Sequence, residues 1–201
     1  MDTLVPLAIA YLIGSIGFGV IIPRLQGVDI YATGSGNPGV SNVYRSLGKG
    51  PAALVLLGDG GKGAAGAAVG AAWANVVTST ASVETLAAAC AFAAVVGHIF
   101  PAWHRFRGGR GVATALGGLI YLAWLPGLIL AVGWLVVTVV FKVASIASLA
   151  AMALYIPGLA LAGYRGWSLV WAAGIVLVVV ARHLPNIQRI LAGSERKVTE
   201  S

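Results

Sequence analysis

The feature that most constrains this chain is a succession of long runs free of Asp, Glu, Lys and Arg: residues 3 to 23, 63 to 83, 85 to 104, 111 to 141, 143 to 164 and 166 to 181. A helix rises about 1.5 Å per residue and the hydrocarbon core of a bilayer is about 30 Å thick, so most of these runs suit one crossing each. The 31-residue run 111 to 141 is too long for one untilted helix and carries Leu125-Pro126-Gly127. A break is expected there, leaving a short fourth helix and a fifth. A further span, the second, must begin near Pro51, since Ala52 to Leu57 is apolar, and it carries Asp59 and Lys62 inside it. Three residues apart, these two share a helical face. They suit either an ion pair that lets both be buried or a lysine turned toward a polar cavity.

These spans predict an all-α, polytopic membrane protein with seven transmembrane helices in a single domain, 1-201. Composition excludes most soluble classes: 59% of residues are hydrophobic and only 9% charged, against about a quarter charged in soluble proteins. Gly66 and Gly70 form a GxxxG, read as a packing face. The net charge of +7 would suggest nucleic acid in a soluble protein, but here the basic residues sit in small groups between apolar runs. The loops after spans one, three, five and seven hold Arg24, Arg45, Lys49, Arg105, Arg107, Arg110, Lys142, Arg182, Arg189, Arg196 and Lys197, whereas the other side holds only Arg165. The positive-inside rule then places the N-terminus outside and the C-terminus in the cytoplasm, with every polar motif on the cytoplasmic face and no nucleic-acid partner. Met1-Asp2-Thr3 lacks the basic start of a secretory signal, so the first run reads as a retained span. The lone Cys90 provides no disulfide framework.

Three polar stretches interrupt this apolar chain. The first, residues 33 to 45, contains Gly34-Ser35-Gly36-Asn37-Pro38-Gly39 followed by Ser41, Asn42 and Arg45. It matches a dinucleotide-binding GxGxxG, yet the strands such a fold needs are absent, so that reading fails. What survives is the physics of glycines that let backbone N–H groups turn toward an anion, with neutral hydrogen bonds from the side chains and a fixed cation at Arg45. The second runs from Gly97-His98 through Pro101 to Arg107-Gly108-Gly109-Arg110-Gly111. Pro101 should end the third span, and the glycine run then opens the fourth, whose orphan N–H groups beside Arg107 and Arg110 make a phosphate site. The third is Arg182-His183-Leu184-Pro185-Asn186 with Arg189, and Ser145 lies at the same membrane level.

With three histidines and few carboxylates, no metal centre is expected, nor any cofactor. Only Asp29 and Asp59 are carboxylates on the cytoplasmic side outside the tail. Chemistry here would rest on positioning and positive charge, without an obvious carboxylate base.

In this order and at these membrane levels, the motifs resemble those of the bacterial acyl-phosphate:glycerol-3-phosphate acyltransferases, the PlsY family. The resemblance covers nearly the whole chain. It is carried by Gly34-Ser-Gly-Asn-Pro-Gly with Asn42 and Arg45, by Asp59-x-x-Lys62-Gly63, by Gly97-His98 through Gly-Gly-Arg110-Gly-Val-Ala-Thr, by Ser145, and by His183-x-x-Asn186. It implies an enzyme of the bacterial cytoplasmic (inner) membrane that moves a fatty acyl group from acyl phosphate to the 1-hydroxyl of sn-glycerol 3-phosphate. The products would be lysophosphatidate and inorganic phosphate, at the first acylation of phospholipid synthesis. Ser35, Arg45, Arg110, His183 and Asn186 are the expected catalytic residues. Gly34, Gly36, Asn37, Asn42, Lys62, His98, Arg107, Gly108, Gly109 and Ser145 are expected to bind substrate. The family often has Ala-Thr where this chain has Val40-Ser41, and Lys where it has Arg110. A transporter of a small organic phosphate is the competing class, since glycine-rich breaks and buried charge also mark transport pathways.

Overall fold

The structure is a computed structural model that describes residues 3–77 and 81–199. The link at 78–80, where the charge-free run 63 to 83 ends, lies outside the described residues, as do Met1 and Asp2 of the N-terminal reading. Among the described residues the chain is all helix and loop. The first apolar run forms α1 (Leu4–Gly14) and α2 (Phe18–Leu25), separated by a break at Ser15-Ile16-Gly17 that the sequence reading passed over. The break leaves the Ile16 carbonyl without a helical partner, because the Val20 and Ile21 N–H groups both donate to the Gly17 carbonyl. A loop follows, then α3 (Val40–Leu47), which stops at Gly48. Gly48 has a φ of 83°, a conformation that glycine adopts without strain, and from it the chain turns directly into α4 (Lys49–Val76).

At 28 residues α4 is about 42 Å long and is the central helix. It starts at Lys49, with Pro51 tolerated in its first turn. Neighbours approach it through small residues. Gly66 and Gly70 face α5 (Val83–Ile99), where a Cβ would press on the Ala94 side chain and the Leu86 carbonyl. The GxxxG is therefore a packing face. Ser82 caps α5 by accepting from the Thr85 N–H at 3.2 Å. After α5 come a short 3-10 turn, Ala102–His104, and the glycine-rich loop, then α6 (Val112–Leu122).

The break expected at Leu125-Pro126-Gly127 lies earlier, at Ala123, and α7 (Trp124–Phe141) starts immediately after it. Pro126 is thereby in the first turn of α7, where its missing N–H costs no helical hydrogen bond. Gly127 belongs to α7 as well and packs on the α6 backbone at Ile120. The remaining elements are α8 (Ala144–Leu161), α9 (Trp167–Arg182) and α10 (Leu184–Leu191), the last turned 55° from α9.

A core of Val95, Leu119, Met152, Tyr155, Leu159 and Ile175 joins α5, α6, α8 and α9. By contrast, Gly127 and Thr138 are the only buried positions of α7, which turns Leu128, Val132, Leu135, Val139 and other large apolar side chains outward. Such a face suits lipid rather than water. Among the described residues, four helices or continuous pairs are long and apolar enough to cross a membrane, or five with the bent α9–α10 pair, and the protein is an integral, multi-pass membrane protein.

Candidate active site

The three polar stretches meet. α3, the start of α6, the start of α8 and the end of α9 surround a cavity of about 190 Å³, into which His98 and Asp59 also open. Ser35, Asn37, Asn42 and Arg45 line it from the first stretch, Arg110 from the second, and Ser145, His183 and Asn186 from the later helices.

The first stretch differs from expectation in one respect. The Ser35 N–H is taken by Asn42 Oδ1 at 2.9 Å and the Gly36 N–H by the Thr33 carbonyl at 3.0 Å, so neither amide points to an anion. The loop presents side chains instead. Gly34 and Gly36 stand at φ 60° and 68°, and a Cβ on Gly34 would overlap Asn42 Oδ1. Their contribution is the shape of the turn. Asn42 is buried, donates to the Thr33 carbonyl at 2.9 Å and accepts from Arg45 at 3.3 Å, so it ties the loop to α3. Arg45 also reaches Ser35 Oγ at 3.5 Å.

In the second stretch Arg110, Gly111, Val112 and Ala113 line the cavity, which brings the first turn of α6 against it. The N–H groups of that turn have no partner further back in the helix, so an anion suits the place. Lys62, Arg107, Gly108 and Gly109 do not reach this cavity; they line a much smaller one beside it, about 10 Å³, which Asp59 and His98 share. Arg107 lies 4.9 Å from the centre of the Tyr31 ring, and Tyr31 donates to the Arg107 carbonyl at 2.5 Å.

From α9, His183 Nδ1 contacts the Val179 carbonyl at 2.8 Å. A carbonyl only accepts, so Nδ1 carries the hydrogen and Nε2 of the neutral ring keeps a lone pair. Asn186 is buried, and its Oδ1 has no partner among the described residues. Two acceptors are thus available where α9 turns into α10.

Sequence reasoning missed Glu195. The tail folds back so that Glu195 Oε1 accepts from Ser145 at 2.9 Å and Asn186 Nδ2 at 2.5 Å, while Oε2 accepts from Arg189 at 2.7 Å. The Val198 N–H donates to the Lys142 carbonyl at 2.6 Å and holds the strap down. The available signal was a single acid among Arg189, Arg196 and Lys197. Loss of a charged hydrogen-bond partner costs about 1.5–3 kcal/mol. Glu195→Ala is therefore expected to lower the melting temperature in detergent by several degrees, and Glu195→Gln by less, because an amide oxygen still accepts from Ser145 and Asn186. Superimposable melting curves would show that the strap bears no weight.

Arg45, Arg110, Arg189 and Arg196 line the cavity against the carboxylates of Asp59 and Glu195. Burial pushes the Arg110 guanidinium down to about 10; Glu195 opposes the fall, and Arg189, Arg182 and Arg45 add to it. Arg45 is lowered by burial and by Arg196. Both remain cationic at neutral pH, crowded and partly desolvated, and an anion between them would relieve both costs.

Fold and site together define a multi-pass helical membrane protein with a cationic, anion-accepting pocket at one end of its helices. The family model described as glycerol-3-phosphate acyltransferase matches residues 4–193. The chain belongs to that family. Glycerol-3-phosphate acyltransferases of Neisseria meningitidis serogroup C (strain 053442) and Paramagnetospirillum magneticum are 43% and 42% identical to it. The first alignment covers 95% of this chain and 94% of the relative, and the second 94% and 90%. Among solved structures, the crystal structure of PlsY (YgiH), an integral membrane glycerol 3-phosphate acyltransferase, in its glycerol 3-phosphate form superposes with a TM-score of 0.86 at 34% identity, over 98% of this chain and 96% of that one. Its lysophosphatidic acid form gives 0.85 at 35%, over 98% and 95%.

Proposed function

We propose that this protein transfers a fatty acyl group from acyl phosphate to the 1-hydroxyl of glycerol 3-phosphate, giving lysophosphatidate and inorganic phosphate for phospholipid synthesis. The observation that carries the reading is the pairing of two unfilled acceptors, His183 Nε2 and Asn186 Oδ1, with arginines in one cavity. Hydroxyls suit the acceptors and phosphates suit the arginines and the start of α6. Its relatives support the glycerol 3-phosphate half; acyl phosphate as donor rests on motif resemblance.

In this reading Arg45, Arg110 and the first N–H groups of α6 hold the acyl phosphate. Ser35, His183 and Asn186 orient glycerol 3-phosphate, and Ser145 borders the phosphates from α8. The hydroxyl oxygen bonds to the acyl carbon, the bond from that carbon to the phosphate oxygen breaks, and the departing phosphate takes the hydroxyl proton. An activated donor with a good leaving group needs no carboxylate base, and catalysis rests on placement and positive charge. The acyl chain leaves the polar end past Val112, Leu116 and Trp134, which line the apolar side of the cavity.

Seven crossings with the N-terminus outside and the pocket in the cytoplasm complete the proposal. The length of α4 supports counting it as a span despite its charges, and the arginine distribution supports the orientation. Purified protein in detergent, given glycerol 3-phosphate, is expected to release phosphate from acyl phosphate and to make no lysophosphatidate from acyl-CoA. The reverse preference would overturn the donor assignment. Inactivity with both donors, together with solute movement into sealed vesicles, would favour a carrier.

A further inference from the structure

Beneath the glycine-rich loop lies a group of ionisable side chains that the reaction above does not use. Lys62 Nζ is 2.7 Å from Asp59 Oδ1 and donates to the Ile16 carbonyl, also at 2.7 Å. That carbonyl is the one freed by the break between α1 and α2. On the other side of Asp59, His98 Nδ1 lies 3.4 Å from the same carboxylate oxygen. All three side chains are buried. His98 in turn supports the loop: a Cβ on Gly109 would overlap His98 Nε2, and one on Gly108 would overlap the His98 carbonyl. The Gly108 N–H donates to the Ile99 carbonyl at 3.1 Å. The two glycines are thus required by contact with His98. Next in the chain is Arg110, which faces the main cavity.

We infer that Asp59 and Lys62 are positioning residues that act through His98, fixing the imidazole against Gly108-Gly109 and so setting where Arg110 and the first turn of α6 present their positive charge. A buried ion pair alone is weak evidence of stabilisation, since well-packed apolar residues often replace one without loss. Here the pair continues into a third group whose far edge touches the loop. Lys62 neutralises Asp59 and anchors it to the α1–α2 break, Asp59 orients the ring, and the ring is the floor on which the loop rests. Phosphate placement is sensitive to such a floor, because a misplacement of about 1 Å costs about 100-fold in rate.

This inference rests on the acyltransferase reading, so its test includes a probe independent of turnover. Asp59→Asn and His98→Ala are expected to lower kcat of the folded protein about 10- to 100-fold, with the KM for glycerol 3-phosphate rising less than about threefold; Asp59→Asn should also melt earlier, because it leaves Lys62 a buried charge without its carboxylate. Lys62→Arg, which keeps the cation, should retain most of kcat. The neutral pair Asp59→Asn/Lys62→Met avoids a lone buried charge and should show the same kcat loss if single variants fold poorly. Gly109→Ala should be strongly impaired. Gly109→Ala/His98→Ala should match His98→Ala within about twofold, because the added methyl group then occupies the vacated ring space. Inorganic phosphate is expected to raise the melting temperature of the wild-type protein but not of Asp59→Asn. A wild-type protein with no turnover but with the phosphate shift would sink the acyltransferase reading and leave the positioning claim intact. Full kcat and a full phosphate shift in folded Asp59→Asn, or multiplicative losses in the Gly109/His98 pair, would overturn the positioning claim.

Discussion

Arg110→Ala is expected to lose turnover by about 100- to 1,000-fold, the range seen when one preorganised donor to a developing charge is removed, while remaining folded in detergent. The guanidinium lies where the first turn of α6 meets the cavity, and in the proposed chemistry it stabilises the phosphate as its bond to the acyl carbon breaks. Arg110→Lys should recover much of the loss: it keeps the cation but gives up the planar, two-pronged donor. Phosphate release from acyl phosphate, corrected for the folded fraction, measures both variants. Near-normal release by Arg110→Ala would remove the residue from the mechanism.

Gly117→Val is expected to abolish the folded protein. A Cβ there would overlap the Gly60 carbonyl of α4, and across the same crossing one on Gly63 would overlap the Thr114 carbonyl of α6. Overpacking a core usually costs about 1–3 kcal/mol; here the obstacle is backbone on both sides, with no flexible side chain to yield, so the cost should exceed that range. Loss of the monodisperse species on size exclusion and of a cooperative melt would be the readout. Gly133→Ala in α7 is the control, since nothing lies within 4 Å of the added Cβ. It should be neutral or stabilise by up to about 1 kcal/mol, the helix-propensity difference between the two residues. A folded Gly117→Val protein with a normal melt would mean that α4 and α6 can separate without loss.

What the sequence disclosed depended on whether a feature was local. Membrane class, the short α6 and the GxxxG packing face follow from hydropathy and small-residue spacing, both properties of neighbouring residues. The misplacement of the α6–α7 break by a few residues also has a local cause: Pro126 marks the vicinity of a helix start, but the first turn tolerates proline, so the discontinuity precedes it. The unseen break at Ser15–Gly17 is of another kind. Its reason lies 46 positions away, in the Lys62 ammonium that takes the freed carbonyl. Lys62 and Asp59 were legible as a pair on one helical face, whereas the reach of Lys62 past the main cavity to the Ile16 carbonyl depended on packing. Glu195 was passed over because it lies in the tail, which was left out when the carboxylates were counted. Only the turn at His183 and the 55° bend of α10 bring it back over Ser145.

That return has a consequence for the order of events during biosynthesis. Ser145 is made first, at the start of α8, and Asn186 follows in α10, yet the carboxylate that links them is contributed by residue 195. Most of the helix packing can form before that point. The polar wall is closed only when residues 195–198 have left the ribosome and settled against Lys142. A translation product released a few residues before Glu195 would contain the helical bundle and all three polar stretches, and would still lack the link across its active site.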